Sequence, residues 1–259
     1  MRAAGYVPRW LIAPAVVGLL FLLVPLTALI VRVEWATLWS DISSDAALSA
    51  LGLSLSTGAV ATALCAIVGV PLAVLIARSP ARIAAVLRAL VTVPLVLPPM
   101  VGGVALLYLF GRNGWFGALG LPFSTPAVVL AQVFVALPFL VLAVEGALRS
   151  TGVEFERAAA SLGASRATIL RRITLPLAAP GIVAGVVLCF ARAIGEFGAT
   201  ALFAGNRPGV TQTMPLAIYT AFNGAGVSQG TAVALSLLLL VTAVAVLLLV
   251  RGWRPGVGR

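Results

Sequence analysis

Six long apolar stretches limit this 259-residue chain more than any other feature. They run over about residues 10–31, 52–77, 89–111, 126–144, 177–204 and 231–250, and five carry no charge. Crossing hydrocarbon as a helix takes ~20 apolar residues. A chain in lipid must also satisfy its own backbone hydrogen bonds, so each stretch predicts a transmembrane helix. Prolines within or beside them (Pro25, Pro71, Pro94, Pro98, Pro99, Pro138) predict kinks or breaks. Charged residues make up only 9% of the chain, against about 25% in soluble domains. A cleaved leader is the alternative for the first stretch. Its apolar run is longer than a signal core of about 7–15 residues, so a retained anchor is expected.

Charge sets the expected orientation. All 17 basic residues are arginine. With six spans and both termini in the cytoplasm, thirteen arginines fall inside and three outside (Arg32, Arg112 and Arg207), with Arg192 inside a span. This is a positive-inside pattern. The net charge of +10 is therefore a topology signal rather than a nucleic-acid footprint. Trp10, Trp35 and Trp253 flank spans and read as interfacial anchors. The expected fold is all-α, with six spans, N-in and C-in, in one transmembrane domain over 1–259.

Two absences exclude whole classes of chemistry. Without histidine there is no His–carboxylate triad and no His-liganded metal. Without lysine the loop G-x-x-x-x-G-K-[S/T] is impossible, so ATP is not hydrolysed here through that motif. Cys65 and Cys189 lack metal-ligand spacing and read as small packing residues.

The one substantial hydrophilic segment is 149–176, between the fourth and fifth spans. Thr151 to Glu154 has the spacing of a capping box. Phe155, Ala158, Ala159 and Leu162 recur on one helical face. Gly163 predicts a helix stop, Ser165 the cap of a second short helix, and Pro176 its end. Two readings fit this hairpin. Its Arg157, Arg166, Arg171 and Arg172 suit anionic lipid heads, and its small Ala158–Ala159 face suits a protein partner. In the next span, Arg192 and Glu196 are four apart and share a face. They read either as a self-neutralising pair near the helix middle or as part of a pathway.

Glu156-Arg157-Ala158-Ala159-Ala160-Ser161-Leu162-Gly163, nine residues, then Ile173-Thr174-Leu175-Pro176 resembles the EAA loop of ABC importer permeases. Arg157 occupies the slot where that loop usually has glutamate, and Glu156 lies one residue earlier. Arg192 to Thr200, then Gly205 to Tyr219, and Pro94 to Pro99, are similar to molybdate ABC transporter permeases, with sulfate permeases as near relatives.

The resemblance implies a homodimeric pore in the cytoplasmic (inner) membrane of a prokaryote. Two ATP-binding cassette subunits would bind ATP and Mg, the chain itself holding no cofactor, and an external binding protein would deliver the oxyanion. Glu156, Ala158, Ala159, Gly163, Ile173, Leu175 and Pro176 would form the ATPase-coupling segment. Arg192, Glu196 and Thr200 are the pathway candidates. Sulfate, thiosulfate or tungstate is the alternative cargo. A stand-alone secondary transporter would place coupling carboxylates in several spans, and only Glu196 is clearly intramembrane. A membrane enzyme would need a convergent reactive cluster, and none is visible.

Overall fold

The apolar stretches become helices in a computed structural model that describes residues 8–224 and 229–252. In chain order they are α1 (Ile12–Val31), α2 (Leu38–Ile42), α3 (Asp45–Arg78), α4 (Ala81–Val96), α5 (Pro99–Phe110) and α6 (Thr125–Ser150). Then come α7 (Glu154–Ser161), α8 (Arg166–Ile169), α9 (Leu175–Ile194), α10 (Gly198–Phe203), α11 (Met214–Asn223) and α12 (Gln229–Gly252). No strand occurs among the described residues. Trp253 lies outside them; Trp10 and Trp35 are both exposed.

Hydroxyls start two of the long helices. Ser44 accepts from Ala47 N–H at the head of α3, and Ser124 from Ala127 N–H at the head of α6. Each satisfies a donor that the first helical turn leaves open.

Helices α1, α3 and α6, and the run 166–194 that contains α9, are each long and apolar enough to cross a membrane. The third predicted span is different. Leu97 is extended (ψ 136°) because Pro98 follows it, and α4 and α5 diverge by 107°. The stretch 89–111 is thus a broken span or a re-entrant loop, and the bent pair makes a fifth crossing only if it acts as one.

The fifth predicted span, 177–204, is also interrupted. α9 ends at Ile194, and α10 begins only at Gly198. At its other end, Pro176 does not terminate a helix. Leu175 is helical, and residues 166–194 run on through a π turn at Leu170–Thr174. The widened turn comes immediately before the proline, so its missing N–H costs no regular hydrogen bond.

The core forms where α6 lies between α3 and α9. Ala61, Cys65 and Ile76 of α3 meet Leu140, Val144 and Leu148 of α6, with Ala178 and Cys189 of α9. Cys65 and Cys189 are both buried in this core, and the Cys65 thiol donates to the Val133 carbonyl at 3.8 Å. Glycines set the spacing. A Cβ on Gly69 would lie 2.6 Å from a Leu140 methyl, and one on Gly181 would collide with the Ala147 methyl. Gly185, one turn further, faces Ala143 and the Leu140 carbonyl at 3.2 Å. The Gly181–Gly185 pattern thus forms a real α6–α9 contact, of the kind that lets membrane helices pack closely without a hydrophobic driving force.

By contrast α1 has no buried residue. The apolar segment after Pro208–Gly209 forms α11, which buries Met214 and Leu216 and donates Met214 N–H to Ser54 at 2.7 Å.

Gly181→Val should force α6 from α9 and cost about 1–3 kcal/mol, as overpacking does. Gly146→Ala, where no atom lies within 4 Å of the added carbon, should be neutral or slightly stabilising. Thermal unfolding in detergent separates the two.

Candidate functional site: the 149–176 hairpin

The hairpin begins differently from its sequence spacing. Thr151 belongs to the end of α6: its N–H bonds to the Ala147 carbonyl, and its hydroxyl donates to the Leu148 carbonyl. Gly152 follows with φ +69°. The pair therefore closes α6 and does not form a capping box on α7, whose N-cap is Val153, with no side-chain cap. The far end of α7 matches expectation. Gly163 has φ +83°, Gly163 N–H bonds to Ala160 O, and Ala164 N–H bonds to Ala159 O. That double bond is a Schellman closure, which only a residue tolerant of the left-handed region supports at no cost. Ser165 then caps α8 by accepting from Thr168 N–H at 3.2 Å.

The predicted apolar face points away from the protein. Phe155 is 64% exposed and Leu162 89%. Ala158 is exposed and Ala159 half-buried between them. Arg157, Arg166, Arg171 and Arg172 are exposed and make no ion pair among the described residues; Arg157 and Arg166 line the cavity that Arg78 and Glu156 also line. Ile173 and Leu175 are half-buried and Pro176 exposed where the segment joins α9.

Glu156 turns inward. Its Oε2 accepts from Arg78 Nε at 3.0 Å, and its Oε1 accepts from Arg78 Nη2 at 2.6 Å and from Thr174 Oγ1 at 2.8 Å. Burial acts to raise its pKa. The Arg78 guanidinium and the Thr174 hydroxyl outweigh that, so the carboxyl is held below the usual glutamate range. Nothing local in the sequence announces Arg78 as the partner, because it lies 78 residues away.

Local sequence likewise does not mark the buried carboxylate of α6. Glu145 of α6, 3% exposed, binds Arg88 of α4 and accepts from Arg149 Nε at 2.7 Å. This clamp ties the broken α4–α5 unit to α6.

The pathway candidates meet at the α9–α10 break, not in a helix middle. Arg192 Nη2 lies 2.6 Å from Glu196 Oε2, without the alignment of a hydrogen bond. Glu196 Oε1 accepts from Ala199 N–H at 2.8 Å, so the carboxylate also serves the first turn of α10. The pair is shaped by the break at Gly195, which ends α9 before Glu196 is reached. Glu196 and Thr200 are buried, and the Thr200 hydroxyl has no partner. Of the three, Arg192 alone reaches the surface, with 25% of its side chain exposed. Gln132 of α6 is also fully buried, with both amide atoms unpaired.

Among the described residues the chain is all-helical, with four or five apolar spans and one exposed hairpin, the architecture of a multi-pass membrane protein. Residues 69–257 match the family described as binding-protein-dependent transport system inner membrane component, and the chain belongs to that family. It is a multi-pass inner-membrane protein and a transport subunit rather than an enzyme. It is 50% identical to the molybdenum transport system permease protein ModB of Mycobacterium tuberculosis, over 93% of this chain and 92% of that one. Identity to the sulfate transport system permease protein CysT of Escherichia coli K12 is 33%, over 77% and 76%. In fold it is similar to a chain of a bacterial alginate ABC transporter solved with its alginate-loaded periplasmic protein. The TM-score is 0.74 at 16% identity, covering 93% of this chain and 91% of that one.

A group whose pKa is depressed by folding stabilises the fold above its unfolded value and loses that effect as pH falls through the folded value. The stabilisation by Glu156 is therefore complete at neutral pH and disappears on acidification below the ordinary glutamate value of about 4.3. The difference in thermal stability between wild type and Glu156→Gln should persist from pH 8 to pH 5 and shrink below about pH 4.

Proposed function

We propose that the chain forms, as a homodimer, the translocation pore of an ATP-driven importer for molybdate-type tetrahedral oxyanions. Two ATP-binding cassette subunits, which bind ATP and Mg, dock on the 149–176 hairpin from the cytoplasm. A binding protein on the outer side delivers the anion. The observation that carries this reading is the exposed Phe155–Leu162 face on a helix anchored from behind. A soluble partner would cover such an apolar patch, and the exposed arginines of the hairpin would steer it. The arginine count supports N-in and C-in termini, which puts the hairpin on the cytoplasmic side.

The cargo is supported by the 50% identity to a molybdenum permease, against 33% to a sulfate permease. At the α9–α10 break, Glu196 neutralises Arg192. A neutral pair lets a dianion pass without the tight binding that a bare arginine would impose. Thr200 comes within reach of an anion when α10 moves, and hydroxyl and backbone N–H donors there suit brief contacts.

Leu162→Glu should leave the chain folded, since its side chain is solvent-facing, but reduce co-purification of the ATPase by about tenfold or more, as expected for a lost apolar anchor. In proteoliposomes holding the chain, its ATPase and its binding protein, molybdate should stimulate ATP hydrolysis more than sulfate. Stimulation by sulfate alone would reassign the cargo.

A further inference from the structure

The helix that presents the docking face buries none of its residues. Packing therefore does not fix α7 to the membrane helices, and a lever held that loosely would turn without moving them. The Arg78–Glu156–Thr174 cluster removes the slack. Arg78 is the last residue of α3, and its guanidinium grips the Glu156 carboxylate through two nitrogens, which fixes orientation as well as distance. Its remaining nitrogen, Nη1, donates to the Leu148 carbonyl near the end of α6 at 3.4 Å. Thr174, buried in the π turn that leads into α9, donates to the same carboxylate. One carboxylate thus joins the ends of three membrane helices to α7. The side chains of Arg78 and Glu156 are only 25% and 19% exposed, so solvent screens the pair less than a surface ion pair. A cavity of about 550 Å³ adjoins them, lined by Val74, Arg157, Arg166, Ile169 and Leu170 among others.

We propose that Arg78, Glu156 and Thr174 form a transmission joint. Movement of α7 passes through the ion pair to α3 and through Thr174 to α9. Glu156 is then a positioning residue inside the subunit, not a contact to the ATPase; that outward role falls to the face carrying Ala158 and Leu162. This inference rests on the docking reading given under Proposed function.

The test uses the complete transporter, with Arg78→Gln, Glu156→Gln and the double variant in proteoliposomes. Co-purification with the ATPase and ATP hydrolysis are measured for each, and transport is scored as anion taken up per ATP hydrolysed. Anion taken up per ATP should fall about tenfold in each single variant, as for a lost charged hydrogen bond. If the two residues act through each other, the double variant should fall no further than either single one. Thr174→Val should give a smaller loss of the same kind. Wild-type coupling in both single variants would overturn the joint. So would loss of ATPase association in Glu156→Gln but not in Arg78→Gln, which would make Glu156 an intermolecular contact. Failure of the wild-type chain itself to bind an ATPase would instead defeat the docking reading.

Discussion

The close approach of α6 to α3 and α9 is the constraint on which the rest of the structure depends. In hydrocarbon, helices gain nothing from leaving water, so association rests on van der Waals contact and on polar links. Gly69, Gly181 and Gly185 let the helices touch where any side chain would hold them apart. Once they touch, three helix ends are held together on one side of the molecule. Arg78, Leu148 and Thr174 belong to those ends, so the Glu156 carboxylate of α7 reaches Arg78 and Thr174 directly and the Leu148 carbonyl through Arg78.

The polar residues then divide the work between two levels of the molecule. On the hairpin side, Glu156 and Glu145 are both bound by arginines, and they tie α7 and α4 to the central helices. Deeper in, Glu196 pairs with Arg192 and starts α10, whose Gly198 and Ala199 press against Met100 and Gly103 of α5. The two breaks in the predicted spans, at Pro98 and at Gly195, therefore face each other through α5 and α10. Irregular backbone at such depth is tolerated where protein or a water-lined path surrounds it, which suits a translocation route.

What the sequence made legible was local. Charge-free runs marked the membrane helices, and Gly163 and Ser165 marked the turn and the cap, because each signal lies within a few residues of its effect. The failures have physical causes. Thr151 fitted a capping box by spacing, but Gly152 takes positive φ and makes the pair a helix end. Pro176 looked like a stop, yet a π turn just before it carries the helix through. The break at Pro98, by contrast, follows the local signal that predicts it, since the proline forces Leu97 extended. The Arg78–Glu156 pair depends on helix packing and leaves no trace in local spacing.

A hairpin that acts as a rigid lever must carry the end of α3 with it, through the Arg78–Glu156 pair. The most direct measurement is a spin-label distance within one protomer, between Ser161→Cys on α7 and Ala81→Cys just after α3, both exposed positions. The native cysteines are buried and stay unlabelled. In the assembled transporter, the distance should stay single and unchanged between the nucleotide-free and ATP-bound states, while label distances across the pore change. A distance between Ser161 and Ala81 that shifts or splits when ATP binds would contradict the account, because α7 would then move without carrying α3.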